Sequence, residues 1–326
     1  MAIVSNTFTK YDVVGLREDL ADVIYNISPE TTPFISNMTK RRQVTNTFFE
    51  WQTDSLASAG VNAVIDGDDL SSFTAVTATS RLGNYTMISR KDFIIADNMA
   101  GTLDLAGRRS EIAYQLAKKG DELKRDMEFN MVGVNQAAVA GNNTTARKTA
   151  SLSAFIRTNT SAGTGGSDPT VSSGIVNAAR TDASSGNQRA FTETLLKAVV
   201  SSVWSEGGEP EILMVGPFNK QAVSAFAGIA AQRYMAPGDG PSQIIGAADV
   251  YISDFGAISV VPNRFSRERD AYVIDPDLVE MATLRPLQSE ELAKTGDATK
   301  FMMLAEYGLQ VNQEAGLGII ADLTTS

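Results

Sequence analysis

The sequence contains neither cysteine nor histidine. Without cysteine, the chain has no disulfide, no thiolate metal site and no cysteine nucleophile. Without histidine, it lacks the commonest metal ligand and the side chain whose unperturbed pKa best suits proton transfer near neutral pH. Ser-His-Asp and Cys-His catalysis are therefore excluded, and an enzyme would depend on carboxylate, lysine or tyrosine chemistry. We predict a protein that is not an enzyme and that has no catalytic residue, metal site or cofactor.

Long apolar runs and an excess of positive charge are also missing. No apolar run reaches the roughly 18 residues that a membrane span requires. Residues 1–6 lack a basic segment followed by an apolar one, so we predict no secretory signal and folding in a cytoplasm. The net charge is −10, from 28 Lys and Arg against 38 Asp and Glu, which does not suit sequence-independent nucleic-acid binding by the whole surface. A negative net charge suits a surface that faces nucleic acid without binding it tightly, and it equally favours solubility.

What is present is typical of a soluble globular protein: 326 residues, of which 43% are hydrophobic and 20% charged. That is enough apolar material for a sizeable core. The first segment, to about Arg42, favours a short helix over residues 17–24 that ends before Ser28-Pro29, because a residue preceding proline is pushed out of the α region. Thr32-Pro33 repeats the break. This segment is predicted to be an arm with apolar anchors.

Residues 44–97 predict two long strands around a polar turn region. Thr45–Trp51 and Asn84–Ser89 are rich in β-branched and aromatic residues, whereas 57–60 and 66–69 are turn material. An isolated hairpin is marginal in water. We therefore expect this hairpin to lie against something else, and a neighbouring subunit is the natural candidate.

Leu103–Ala140 is the strongest helix signal, with no proline and with apolar residues at helical spacing. Those residues are Ile112, Leu116, Leu123, Met127, Met131 and Val134. At 1.5 Å per residue the helix would run roughly 50 Å. Its outer face is predicted to carry three opposite-charge pairs four residues apart: Lys118–Glu122, Asp121–Arg125 and Lys124–Glu128. Gly107, Gly120 and Gly133 lie within it, and either permit close packing or are outweighed by packing.

The rest of the chain predicts a loop and then a compact α+β region. Thr158–Gly174 is rich in Gly, Ser and Thr and is predicted to be a loop or flexible tip. After it, the pattern predicts helices at Phe191–Trp204, with Thr192 as N-cap and Phe191 packed on Leu196, and at Pro217–Ala227. Strands are predicted at 211–215, 250–252, 258–261, 272–274, 278–284, 301–311 and 317–321.

Several short segments occur in a characteristic order: Tyr11-Asp12 with 17–20, 25–29 with 32–34, Glu50–Leu56, Glu111–Leu116 and Lys124–Glu128. Taken in this order, they resemble the major capsid proteins of tailed bacteriophages, whose fold is shared with encapsulins and the herpesvirus capsid floor. The branch that the residues resemble is a set of siphovirus and podovirus capsid proteins formerly of unknown function. The segments lie between Tyr11 and Glu128.

The resemblance implies an α+β tailed-phage capsid fold with five parts. These are an N-terminal arm (1–43), an extended hairpin loop (44–97), a peripheral domain with the spine helix (98–185), an axial domain (186–277) and C-terminal strands returning to the peripheral domain (278–326). The hairpin would reach over an adjacent subunit. Loops at 228–247, with Pro237 and Asp239, would gather around the pentamer and hexamer axes.

The implied function is a structural one. The chain would be a major capsid protein that assembles with itself into pentamers and hexamers of an icosahedral shell around double-stranded DNA. It would lie in the virion after assembly in the host cytoplasm, without a membrane, and with scaffolding, portal and cement proteins as candidate partners. An encapsulin-like compartment around a cargo enzyme is the alternative, and an enzyme with a carboxylate-only site is a more distant one.

Two features of relatives bear on this chain. Some relatives cross-link their shells through a lysine of the extended loop, but no lysine lies between Arg42 and Arg90 here. Many carry a cleaved N-terminal scaffolding segment, whereas this chain begins almost directly with the arm. Scaffolding is therefore expected to be separate or already removed.

Candidate assembly residues follow from the same segments. They are Arg17, Phe34, Lys40, Arg41, Arg42, Phe49, Trp51, Asp54, Tyr85, Pro237 and Asp239. Lys40-Arg41-Arg42 is the only basic triplet, and it could contact nucleic acid, contact a neighbour's acidic surface, or simply be solvated. Phe49 and Trp51 are ordinary strand residues that become interface anchors only if the hairpin leaves its own subunit.

Two further motifs are better explained as ordinary turns and loops than as binding sites. Asp66, Asp68 and Asp69 could gather around Ca²⁺, but they lack the EF-hand spacing, and a solvated turn is favoured. Residues 163–166 are glycine-rich like a phosphate-binding loop, but no apolar strand precedes them and no Lys-Ser/Thr pair follows.

Overall fold

A computed structural model describes residues 31–69, 73–101, 110–226 and 249–325. The helices are α1 Pro33–Asn37, α2 Asp97–Gly101, α3 Glu111–Glu128, α4 Leu152–Phe155, α5 Glu193–Ser205 and α6 Pro217–Ser224. The strands are β1 Lys40–Gln43, β2 Phe48–Thr53, β3 Ser80–Tyr85, β4 Met87–Ala96, β5 Asn159–Ser161, β6 Thr170–Ser172, β7 Ile175–Ala178, β8 Ile212–Val215, β9 Val250–Ser253, β10 Gly256–Pro262, β11 Ala271–Ile274, β12 Val279–Leu292, β13 Ala298–Val311 and β14 Gly318–Ile320. Several expectations lie outside the described residues: the helix at 17–24 with Arg17 and its end at Ser28-Pro29, the first part of the predicted spine helix (103–109) with Gly107, and the loop at 228–247 with Pro237 and Asp239.

One part of the subunit is a four-stranded sheet with the order β1-β12-β13-β4, against which α3 packs. β12 and β13 form an antiparallel hairpin of two 14-residue strands. The sequence predicted only the half of this hairpin that lies near the core. The outer half of β12 is exposed and polar, so its residues do not alternate between apolar and polar as those of a half-buried strand do. The hairpin therefore projects beyond the core, and residues 285–297 at its end are exposed.

A second four-stranded sheet, β2-β3-β7-β6, holds the base of the predicted hairpin. β2 and β3 pair antiparallel, from Phe48 opposite Tyr85 to Thr53 opposite Ser80. β4 leaves this sheet and pairs with β13 instead. The return strand of the hairpin thus divides between two sheets near Thr86, whose buried hydroxyl donates to Glu306.

The α+β region is built on a six-stranded sheet, β5-β14-β11-β8-β10-β9, with α5 and α6. Predicted strands at 211–215, 258–261 and 272–274 are present as β8, β10 and β11, since short apolar runs bounded by turns form buried strands. The last strand, β14, pairs with β11 in this sheet, while β12 and β13 lie in the first one. The domain boundaries themselves stay predictions.

The spine helix is shorter than the sequence predicted. Regular helix covers Glu111–Glu128, a π-helical turn follows at Phe129–Gly133, and Val134 is extended. The chain beyond it pairs with other segments, since the Ala138 amide donates to the Val176 carbonyl at 3.0 Å and Val139 bridges to Lys148, and this pairing overrides helix propensity. Gly133 is required for close approach, because a Cβ there would lie 2.3 Å from the Phe265 carbonyl oxygen.

Two other predictions need correction in detail. Thr158–Gly174 is not a free loop, since it contributes β5 and β6, and buried Asn159 donates to the Leu317 carbonyl. The helix after Phe191 begins as predicted, with Thr192 at the N-cap, but the Thr192 side chain makes no capping hydrogen bond. Phe191 and Leu196 are both buried in the core around α5, as the predicted contact between them requires.

Candidate assembly surfaces

The extended loop, residues 54–79, is the most exposed described part of the subunit. It leaves the β2–β3 pair between Thr53 and Ser80, and all its described residues are exposed. It carries six large apolar side chains that are at least 71% exposed: Leu56, Val61, Val64, Ile65, Phe73 and Val76. So many exposed apolar side chains in one segment indicate an interaction site.

A tight turn lies midway along the extended loop. The Asp68 amide donates to the Ile65 carbonyl at 3.1 Å, and Gly67 has φ +83°, a conformation that favours glycine. Asp66, Asp68 and Asp69 surround this turn. We call residues 65–69 the acidic tip. In the part of the chain that the structure describes, no group of three or more Asp or Glu could hold a metal ion.

The predicted aromatic anchors are not available to a neighbour. Phe49 and Trp51 face inward, their ring centroids 5.9 Å apart, and Trp51 packs 6.0 Å from Phe155. Both are buried in the subunit core, as is Phe34. Gly308 leaves room for Phe49, since a Cβ there would lie 2.6 Å from the ring. Within one subunit, therefore, Phe49 and Trp51 lie on the inward face of β2 and Phe34 lies in α1, and the chain's own core covers all three.

The other candidate residues within the described ranges are at the surface or partly so. Lys40, Arg41 and Arg42 lie in β1, the exposed edge strand that runs parallel to β12. Lys40 pairs with Asp277 at 3.4 Å, an exposed contact of little energetic weight. Asp54 begins the extended loop and accepts a hydrogen bond from Gln313 through its carbonyl oxygen. The half-buried ring of Tyr85 packs on Phe48.

Glu128 is a structural anchor that sequence reasoning placed on the wrong face. It is fully buried, and its carboxylate accepts hydrogen bonds from the backbone amides of Phe34 (2.7 Å) and Ile35 (2.9 Å) and from the Asn263 side chain (2.7 Å). Burial raises the pKa of the Glu128 carboxyl, and these donors partly oppose that rise. The predicted outer pair with Lys124 is therefore wrong.

Glu128 is buried at the start of α1, where it accepts hydrogen bonds that the helix itself cannot provide. The two amides belong to the first turn of α1, where backbone donors have no partner within the helix. Thr32 at the N-cap offers no side-chain bond. In the sequence, the helix start at Thr32-Pro33 could have indicated that an acceptor is needed there. Nothing nearby in the sequence indicated that the acceptor lies 94 residues away.

A buried charge network joins the segment before β11 to the chain around Asp182. Asp270 accepts from Arg267 at 2.8 Å and from the Tyr272 hydroxyl at 3.3 Å, and Arg267 also pairs with Asp182 at 2.6 Å. Burial raises the pKa of Asp270 to about 6, although Arg267 and Arg180 oppose the rise. Asp270 thus binds a proton more readily in the folded than in the unfolded chain.

This raised pKa gives a testable pH dependence. A group with a raised folded pKa contributes stability below its ordinary pKa of 3.8, and that contribution is lost as pH rises through about 6. Relative to the Asp270→Asn variant, the parent should lose on the order of 3 kcal/mol of unfolding free energy between pH 4 and pH 7.5. Urea unfolding of both proteins across that range measures the difference. The exposed Asp66→Asn is the control, and a parent–variant difference that does not change with pH would contradict the assignment.

Comparisons with known proteins give one answer. The sequence matches the family described as SU10 major capsid protein over residues 3–324. It is 29% identical over 347 residues to the major capsid protein of Escherichia phage Phieco32, covering 96% of each chain. The fold is similar to the capsid asymmetric unit of cyanophage A-1(L), with TM-score 0.71 and 12% identity over 95% of this chain and 98% of that one. It is also similar to an encapsulin complex from Synechococcus elongatus, with TM-score 0.54 and 10% identity over 95% and 92%. These likenesses confirm the predicted α+β fold of tailed-phage capsid proteins.

Proposed function

The chain belongs to the SU10 major capsid protein family and is the major capsid protein of a tailed phage, and we propose that its extended loop reaches over an adjacent subunit to build the shell. It is a structural protein of the virion that associates with copies of itself. We propose in addition that the copies form pentamers and hexamers of an icosahedral shell. The observation that carries the proposal is the row of exposed apolar side chains along residues 54–79.

Those side chains need a partner that the subunit does not supply. Burying a large apolar side chain is worth about 1.5–3 kcal/mol, so six exposed ones favour association strongly once a complementary surface is available. The β12–β13 hairpin is a second projection, with half-exposed Leu287 and Leu292 near its end. Many such contacts repeated around a closed shell accumulate through multivalency. We expect each subunit to bury more than the ~2,000 Å² of an obligate interface.

Charge sets the conditions for assembly. Subunits that each carry −10 repel one another, and salt shortens the range of that repulsion from ~30 Å at 0.01 M to ~10 Å at 0.1 M. The yield of closed shells should therefore rise from low to moderate salt and with added Mg²⁺. Electron microscopy of the purified protein across a salt series, alone and with an adjacent scaffolding protein, measures this.

The same series tests the function. Closed shells, or rings of five and six subunits, would support the proposed assembly. A monodisperse monomer under every salt and partner condition would contradict it. A yield that fell steadily from low to moderate salt would contradict the electrostatic account alone.

The proposal also covers the partners of the shell, which are DNA and other phage proteins. We propose that the shell encloses double-stranded DNA contacted without sequence preference, that assembly occurs in the host cytoplasm, and that scaffolding, portal and cement proteins take part. Among the described residues, no helix is long and apolar enough to cross a membrane. The alternative, an encapsulin-like compartment, rests on a more distant likeness of fold. Purification of the shells with one partner protein in place of DNA would favour it.

A further inference from the structure

A cleft of about 620 Å³ opens between α1, β1, the spine helix and the β12–β13 hairpin. Four of its lining residues are cationic: Arg41, Arg42, Lys124 and Arg285. No carboxylate is among the described residues that line it. The remaining surface is largely apolar, with Ile35, Met127, Met281 and Leu287. We call this the basic cleft.

Part of this positive charge is not neutralised within the subunit. Arg285 pairs at 2.8 Å with Glu306, a buried carboxylate that also receives Arg147. Arg42 donates to the neutral side chain of Gln310 at 3.0 Å. Within the described ranges, no carboxylate forms an ion pair with Arg41 or Arg42. In a chain of net charge −10, this is a local site that suits an acidic partner.

The extended loop has the complementary composition. It contains four aspartates and no lysine or arginine, and the acidic tip lies at its midpoint. Apolar Val64 and Ile65 flank the aspartates and are exposed. Twelve residues lie between Thr53 and Asp66, which at ~3.3 Å per residue allows a reach of ~40 Å beyond the sheet. An acidic turn with apolar neighbours matches a cleft that is cationic and apolar.

We propose that the acidic tip of one copy docks in the basic cleft of a neighbouring copy, so that Arg41 and Arg42 meet Asp66, Asp68 and Asp69. The inference rests on the proposed reach of the loop over an adjacent subunit and names where the tip lands. The apolar lining favours a peptide over a nucleic-acid backbone, because phosphates gain nothing from contact with methionine and isoleucine. Ion pairs that become buried on docking are screened much less than the net repulsion, so docking persists at the salt that promotes assembly.

The absence of cysteine from the chain allows a direct test. A variant with Asp68→Cys at the tip and Leu287→Cys in the cleft, assembled and mildly oxidised, should give a ladder of covalent multimers on a non-reducing gel. The single-cysteine variants are the controls and should give no product beyond a dimer. Shells without a ladder would place the tip elsewhere and leave the proposed function standing. A cross-linked monomer would place the tip in its own subunit's cleft and overturn the inference.

A charge exchange tests the electrostatic basis independently. The cleft variant Arg41→Glu/Arg42→Glu and the tip variant Asp66→Lys/Asp68→Lys should each raise the subunit concentration needed for shells by about tenfold, because like charges then face one another. The combined variant restores the parent's net charge of −10 and should assemble within about threefold of the parent.

The matched control keeps the net charge but misplaces it. Joining the cleft variant to Glu206→Lys/Glu209→Lys, two exposed residues just after α5, also gives a net charge of −10 and should not restore assembly. Rescue by this control would show that total charge alone matters and would overturn the inference. Normal assembly of the cleft variant with loss of packaged DNA would also overturn it and assign the cleft to nucleic acid.

Discussion

Replacing residues 54–79 with a two-residue Asn-Gly turn should give a folded subunit that does not close into a shell. The register makes the excision clean, because Thr53 and Ser80 are directly paired at the end of β2 and β3, and two-residue turns close such hairpins. The described loop residues are exposed, and two hydrogen bonds join them to the body, from Gln313 to the Asp54 carbonyl and from the Thr79 hydroxyl to Gln52. Little of the folding energy should therefore be lost.

Two measurements separate folding from assembly in this variant. Thermal unfolding followed by circular dichroism should show a transition within a few degrees of the parent, since a loss of about 1 kcal/mol shifts the midpoint of a large domain by ~2–4 °C. Electron microscopy at the salt optimum of the parent should show no closed particles. A matched variant keeps the loop length and exchanges Leu56, Val61 and Val76 for serine, and it should also fail to close if apolar contact is what the loop supplies. Intact shells from the excised chain would refute the proposed reach of the loop.

Exchange of Glu128 for alanine should destabilise the subunit by roughly 3–5 kcal/mol. Three donors lose their acceptor at once: the Phe34 and Ile35 amides and the Asn263 side chain. The burial that raises the pKa of Glu128 shows that its charge is costly to hold there. Removal of the whole side chain nevertheless costs more than it relieves, because buried donors without acceptors each cost about 1–3 kcal/mol.

The Glu128→Gln variant separates charge from hydrogen bonding. Its single amide oxygen can serve only part of the donor set, and its amide nitrogen would face another donor, so we expect a loss between those of the parent and the alanine variant. Urea unfolding at neutral pH measures all three proteins. Asp121→Ala, on the exposed face of the same helix, is the control and should change stability by no more than about 0.5 kcal/mol. An alanine variant within 1 kcal/mol of the parent would contradict the role of Glu128 as the cap of α1.

The elements that the sequence predicted correctly are those whose conformation is set by residues nearby in the sequence. β8, β10 and β11 follow from short apolar runs between turn residues, and α5 ends where Gly207 adopts φ +91°. The extended loop was also foreseeable, since turn residues and exposed aspartates separate two strands rich in aromatic and β-branched residues. In each case the residues that decide the conformation lie within a few positions of it.

The positions that it misplaced depend on distant residues. The sequence pattern places Trp51 on one face of a strand. It does not indicate whether Phe155 or a neighbouring subunit covers that face. Glu128 has the spacing of a surface ion pair, yet it caps a helix on another segment. The spine helix stops before Val134, and the following chain pairs elsewhere, with the Ala138 amide donating to the Val176 carbonyl.

By itself, then, the sequence determined the class of protein, because the order of its segments identifies a capsid subunit. Only the tertiary structure decided which residues are free to meet a neighbour. It turned Phe34, Phe49 and Trp51 inward, and it gathered Arg41, Arg42, Lys124 and Arg285 around one cleft. The physical reason is that propensity and periodicity act over a few residues, whereas burial and charge clustering depend on contacts between segments up to hundreds of residues apart.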